Sequence, residues 1–160
     1  MRSGGEPAFN PAERHRGREA ALQLLYQWEI GRIGEPGPDA DALYWTAHPA
    51  PESRQAFASA LARGTAARAP EIDPLIAMHA RNWRLSRMAV LDRLILRMAV
   101  YELLRGSTPP PVVIDEAIEL AKTFSGDQSA GFVNGVLDSV RREIAGGHGA
   151  DESDPRPGPS

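Results

Sequence analysis

Cysteine is absent from all 160 residues of the chain. Its absence excludes disulfide bonds, zinc sites with cysteine ligands, iron–sulfur clusters and a thiol nucleophile. The sequence also lacks any run of roughly 18 uninterrupted apolar residues, the length that a membrane-spanning helix needs. The N-terminus has no apolar segment of the kind found in secretory signals. We therefore expect a cytoplasmic protein that does not enter a membrane.

Signatures of catalysis are missing as well. No serine lies in a glycine-flanked elbow, and no glycine-rich phosphate loop follows a strand and opens a helix. The four histidines are scattered without a second ligand at metal-binding spacing: His15, His48, His79 and His148. We expect a binding protein rather than an enzyme, with no metal and no cofactor.

One group of carboxylates, Asp115, Glu116 and Glu119, has the composition of a general acid and base. On a helix, however, Glu119 and Lys122 are surface neighbours that support each other. The group is therefore interpreted as a solvated helix face.

Apolar residues recur at three- and four-residue steps, the spacing typical of amphipathic helices. The pattern predicts no sheet and seven helices, near residues 10–30, 39–45, 52–69, 73–82, 86–104, 112–124 and 128–144. The fifth helix is the most apolar, so we expect it at the centre of the fold. Gly64 costs about 1 kcal/mol against alanine inside the third helix, which indicates close contact with another helix.

Glycine and proline divide the chain into a helical domain and two tails. Residues 1–10 and 146–160 are poor in large apolar groups, and the second stretch is acidic and rich in glycine and proline, so both are predicted to be disordered. Residues 11–145 then form an all-α fold of two small helical bundles packed together. The first bundle is predicted over 11–69 and the second over 71–145.

Positive charge is concentrated near the start of the first helix. The net charge of the chain is −3, which argues against a protein that coats nucleic acid through bulk charge. Arg14, Arg16 and Arg18 nevertheless lie within five residues, with His15 between them. Cations at a helix N-terminus oppose the helix dipole, and arginine binds phosphate oxygens in pairs and stacks on bases. The cluster therefore indicates either an RNA site or a basic helix start that keeps the chain soluble.

Three ordered motifs span most of the chain. The first is RHRGREAALQLLY over 14–26, and the second combines Asn82-Trp83 with LDR and ILRMAVYEL over 91–103. The third combines DEAIELAK over 115–122 with FVNGVL over 132–137. Together they resemble the bacterial transcription antitermination proteins of the NusB family. The resemblance covers residues 14–141 and leaves only the two tails outside.

The resemblance implies an all-helical fold of two subdomains and a function without catalysis. That function is binding to the boxA element of nascent, especially ribosomal, RNA. The implied partner is NusE, a small-subunit ribosomal protein, with which NusB joins an antitermination complex on RNA polymerase.

The resemblance also assigns candidate site residues. Asp92 matches an acidic position on the surface that faces NusE. At Phe132 a stacked base would contribute about 1–3 kcal/mol, and core packing is the alternative interpretation of this ring. The residues that match RNA-binding positions are Arg14, His15, Arg16, Arg18, Gln23 and Phe132.

Two features depart from the family pattern. His15 stands where arginine is common, so its charge depends on pH. The segment 128–131 lacks the charged side chains often found before the FVNGVL motif.

Two other interpretations stay open: a module related to the N-terminal domain of RNA cytosine methyltransferases, and a homodimer whose interface masks the RNA-binding face.

Overall fold

This computed structural model describes residues 10–31, 38–80 and 88–153. They form seven helices and no strand. The all-α prediction is confirmed. None of the described helices combines the length and apolar character that a membrane span requires. The helices are α1 (Pro11–Glu29), α2 (Pro38–Ala47), α3 (Glu52–Ala67), α4 (Ala69–His79), α5 (Val90–Arg105), α6 (Pro110–Phe124) and α7 (Asp127–Ser153).

Local sequence signals account for several helix ends. The side chain of Asn10 accepts a hydrogen bond of 3.0 Å from the backbone N–H of Glu13, and Pro11 occupies the first turn of α1. Gly106 has a φ of 74° and ends α5 by donating its N–H to the carbonyl of Glu102. This left-handed conformation favours glycine because it has no Cβ.

Other helix ends differ from the prediction. α4 begins at Ala69 rather than near residue 73, because Pro70 occupies its first turn and Pro74 lies inside the helix. α7 continues to Ser153, beyond the predicted end at residue 144. Its glycines each cost about 1 kcal/mol in a helix interior, which weakens the helix without ending its hydrogen-bonding pattern.

Parts of the predicted organisation lie outside the described residues. They include 1–9 and 154–160 of the predicted tails, Asn82-Trp83 of the second motif, and the predicted start of the fifth helix at 86. The disorder of the tails and the division into bundles at 11–69 and 71–145 stay predictions.

α5 lies at the centre of the packing. It contacts α1, α3, α4, α6 and α7, while α1 packs closely on α3 and α6 on α7. Ile95, Leu96 and Val100 of α5 are completely buried. A helix that is apolar around most of its circumference has to be covered on most sides, and this agrees with the central position predicted for it.

Two glycines allow close contacts around α3. A Cβ built on Gly64 would overlap the hydroxyl group of Tyr101 in α5, and one built on Gly17 of α1 would overlap the ring of Phe57 in α3. The close contact predicted at Gly64 is therefore confirmed, with Tyr101 as the partner. These contacts set how near α1 and α5 approach α3.

We expect Gly64→Ala to lower the free energy of unfolding by about 1–3 kcal/mol, because the buried ring of Tyr101 has to move. Urea denaturation measures the change. The matched control is Gly131→Ala in α7, where an added Cβ meets nothing within 4 Å. Removing an exposed helical glycine should stabilise by about 0.5–1 kcal/mol. A Gly64→Ala variant as stable as the unchanged protein would contradict the contact.

Candidate nucleic-acid interface

The first turns of α1 carry two exposed arginines, Arg14 and Arg16. Nη1 of Arg16 donates to Glu13 Oε2 at 3.2 Å, and Glu13 also accepts from Arg54 of α3 at 3.1 and 3.3 Å. The hydrogen bonds from Arg54 lower the pKa of the Glu13 carboxyl below its usual value. Glu13 therefore stays ionised and ties the start of α1 to α3.

His15 joins α1 to α6. Its Nδ1 lies 2.7 Å from Glu116 Oε1, and its Nε2 lies 3.3 Å from Glu19 Oε2. The hydrogen bond to Glu116 raises the pKa of His15 above its usual value. His15 therefore carries positive charge to higher pH than a free imidazole. The structure also corrects the interpretation of Glu116 as purely solvated, since its carboxylate faces α1 and is half-buried.

Arg18 lies in the interior. Its side chain is only 3% exposed and forms two hydrogen bonds of 2.8 Å with Glu102 of α5. The guanidinium also lies over the ring of Phe57, 5.5 Å from its centroid. Burial opposes the charge, but the hydrogen bonds to Glu102 hold the pKa of Arg18 above its usual value. The sequence placed Arg18 beside Arg14 on a basic surface, whereas the structure turns it toward α5.

Glu102 was not among the predicted site residues. It lies in the most apolar helix and is 8% exposed. A charged group inside an apolar segment needs a partner, because an unpaired buried charge is very costly. This position alone was a usable signal for a buried ion pair, although the sequence did not say which arginine completes it.

Gln23 lies in a groove between α1 and α2. Its Oε1 accepts a hydrogen bond of 2.7 Å from the hydroxyl of Tyr44. We call this cavity of about 220 Å³ the α1–α2 groove; its lining includes Arg16, Gln23, Tyr44, Trp45, His48 and Arg54. Tyr44 of α2 and His48, which directly follows α2, were not predicted as site residues, although their four-residue spacing is that of helix neighbours.

Asp92 and Phe132 meet in a second cavity, of about 370 Å³, between α5 and α7. Asp92 Oδ2 accepts a hydrogen bond of 3.1 Å from the hydroxyl of Ser129. Its Oδ1 is buried and has no hydrogen-bond partner among the described residues. The resemblance placed Asp92 on an exposed surface, but the carboxylate is 8% exposed and lines the cavity.

Phe132 packs against the core, as its alternative interpretation expects, while base stacking on its ring stays a prediction. The ring packs against the hydrophobic core and also lines the cavity with Asp92. Met88, Ala89, Gln128 and Ser129 complete that lining. We call it the α5–α7 cavity. The predicted site residues thus form two groups, one at the start of α1 with the α1–α2 groove and one in the α5–α7 cavity, while Arg18 lies beneath the surface.

Comparison with known proteins assigns the family. The model of the NusB family matches residues 15–142. The chain belongs to the NusB family. It is 49% identical over 138 residues to the transcription antitermination protein NusB of Solibacter usitatus, covering 83% of this chain and 91% of that protein. NusB of Symbiobacterium thermophilum is 45% identical over 147 residues, covering 88% of this chain and 96% of that protein.

Solved structures of the family share the fold. T. maritima NusB superposes with a TM-score of 0.69 at 35% identity, covering 81% of this chain and 91% of that one. A crystal structure of the antitermination factors NusB and NusE in complex with dsRNA contains a chain with a TM-score of 0.73 at 25% identity, covering 84% of this chain and 99% of that one.

We expect Glu102→Gln to lower the free energy of unfolding by about 3–5 kcal/mol, because it leaves the Arg18 charge buried without a counter-ion. Thermal or urea denaturation measures the loss. The matched control is Glu71→Gln, which removes the acid from an exposed Arg–Glu pair with a hydrogen bond of 2.6 Å. That substitution should have little effect. Equal stability of the two variants would show that the buried pair has no special importance.

His15 should stabilise the fold more at low pH than at high pH. Its folded-state pKa lies above the ordinary value of 6.5, so the folded state binds the proton more tightly. The stabilisation is complete below the unfolded pKa and is lost as pH rises through the raised folded pKa. We expect the difference in unfolding free energy between the unchanged protein and His15→Asn to shrink along a series of rising pH values. A constant difference would refute the role of the His15–Glu116 pair, and Glu116→Gln should reduce the trend to the smaller contribution of Glu19.

Proposed function

We propose that this NusB-family chain is a transcription antitermination factor that binds boxA-type single-stranded RNA together with NusE. The observation that carries the proposal is the match of residues 15–142 to the NusB family. Relatives at 45–49% identity are transcription antitermination proteins, and a related NusB forms a complex with NusE and double-stranded RNA. The proposed complex acts on RNA polymerase in the cytoplasm, and the role of this chain there is binding rather than catalysis.

The start of α1 is the proposed phosphate-binding surface. Arg14 and Arg16 are exposed, and the carboxylates of Glu116 and Glu19 raise the pKa of His15 above its usual value. Each guanidinium can hold two phosphate oxygens at once. The buried Arg18 has a positioning role in this proposal, because its bonds to Glu102 hold α1 in a fixed orientation on α5.

The α5–α7 cavity is the proposed contact for NusE. Apolar side chains of Met88 and Phe132 line it, and the unpaired Oδ1 of Asp92 is a hydrogen-bond acceptor. A buried carboxylate oxygen without a partner is costly, so a donor from a basic ribosomal protein would offset that cost. Phe132 also offers a ring edge or face to a base held between the two proteins.

Fluorescence anisotropy of a labelled boxA RNA tests the function. We expect this protein with NusE to bind the RNA more tightly than either protein alone, and a scrambled RNA to bind more weakly. Sedimentation of the free protein at several concentrations would reveal a homodimer that masks the start of α1. Absence of RNA binding by a monomer, with and without NusE, would refute the proposed function.

The double variant Arg14→Ala/Arg16→Ala should bind RNA more weakly and with a flatter salt dependence. Losing two phosphate contacts on a single strand lowers the log–log slope by about 1.4 units, at roughly 0.7 for each contact. The control is Arg68→Ala/Arg142→Ala, which removes the same charge from arginines of other segments, each paired with a nearby acid. If both double variants had the same slope, the start of α1 would not be the phosphate-binding surface.

A further inference from the structure

We propose that the α1–α2 groove is a subsite for one unstacked nucleobase of the bound RNA, which stacks on His48 and accepts a hydrogen bond from Gln23. The inference rests on the proposed RNA-binding function. It adds a base-binding site at the C-terminal end of α2, a helix outside the sequence motifs of the family resemblance.

A planar platform lies in the groove. The rings of Tyr44 and His48 are stacked, with centroids 4.3 Å apart and an angle of 15° between their planes. His48 Nδ1 lies 3.1 Å from the backbone carbonyl of Tyr44, which holds the imidazole in this orientation. His48 is exposed, so the face of its ring away from Tyr44 is accessible. Proteins bind splayed-out bases of single-stranded RNA on aromatic faces of this kind.

A donor of fixed orientation lies beside the platform. Burial raises the pKa of Tyr44 to about 12, so its phenol keeps the proton that it donates to Gln23 Oε1. With its oxygen engaged, the Gln23 amide presents its nitrogen, which can only donate. Nε2 of Gln23 has no hydrogen-bond acceptor among the described residues. Its partner therefore has to be an acceptor, such as a base carbonyl oxygen or ring nitrogen.

Side-chain contacts connect α2 to α3. Trp45 Nε1 donates to the hydroxyl of Ser59 in α3 at 3.3 Å, and Arg63 of α3 pairs with Asp41. The Trp45 ring also meets Tyr44 edge-on, with centroids 4.9 Å apart. These contacts hold the stacked rings in place without a ligand. A preformed platform lowers the entropy cost of binding.

The size of the α1–α2 groove and its position beside the proposed phosphate-binding surface favour a single base. The groove, at about 220 Å³, is smaller than the roughly 300–1,000 Å³ typical of sites that enclose a whole small molecule. Arg16 belongs both to the groove and to the exposed start of α1. A strand whose phosphates contact Arg14 and Arg16 therefore passes the mouth of the groove, where it can insert a base.

The test combines His48→Ala with a set of boxA RNAs, each lacking the base at one position. For the unchanged protein with NusE, we expect one abasic RNA to bind about tenfold more weakly, a factor within the range of base–aromatic stacking. His48→Ala should lose a similar factor on the complete RNA and nothing further on that abasic RNA. Its salt dependence should stay unchanged, because stacking neutralises no phosphate.

Two further variants sharpen the result. Tyr44→Phe keeps the stacked ring but releases Gln23, so it should weaken binding by a smaller factor than His48→Ala. The control is Leu43→Ala on the same helix, since Leu43 is 62% exposed and does not line the groove. It should bind every RNA as the unchanged protein does, and circular dichroism should show all variants folded.

Each result decides a different point. If the unchanged protein binds boxA RNA but no abasic position is coupled to His48, the groove inference is overturned and the proposed function stands. If His48→Ala weakens binding to NusE without RNA and leaves RNA affinity intact, the groove is a protein contact and the inference also fails. Absence of RNA binding by the unchanged protein overturns both.

Discussion

The buried pair of Arg18 and Glu102 is the constraint on which the rest of the site depends. Two hydrogen bonds of 2.8 Å connect α1 to the central helix α5 in a region almost closed to water. Two charges this deep are stable only with close partners. The rotation of α1 about its own axis is therefore set by the need to bring Arg18 to Glu102. That rotation turns His15 toward α6 and leaves Arg14 and Arg16 exposed.

Close backbone approach supports the same arrangement. Gly17 lies against Phe57, the ring over which the Arg18 guanidinium is placed, and Gly64 lies against Tyr101, the residue before Glu102. α3 therefore packs against both sides of the ion pair, and it also carries Ser59 and Arg63, which anchor α2. The start of α1 and the helix α2, which form the proposed RNA-binding face, are therefore both connected to the core through α3.

Much of the fold was predictable because it depends on local rules. The residue types at Asn10, Pro11 and Gly106 favour helix ends. The apolar circumference of the fifth helix indicated its central position, and Gly64 indicated a close contact. The site was less predictable. Arg14 and Arg16 are exposed at the start of α1, but His15 is paired with Glu116, Arg18 points inward and Asp92 lies in a cavity. A motif identifies residue types and spacing, whereas the orientation of each side chain depends on partners remote in sequence.

The sequence by itself determined the helices, the absence of cysteine chemistry and the resemblance to the NusB family, because these follow from composition, periodicity and short motifs. Only the tertiary structure decided which arginine is buried, which acids lie beside His15 and which aromatic residue bonds to Gln23. Glu102 lies 84 residues from Arg18, and Glu116 lies 101 residues from His15. Helical periodicity reaches only three or four residues along the chain, so pairs at such separations arise only when the helices pack.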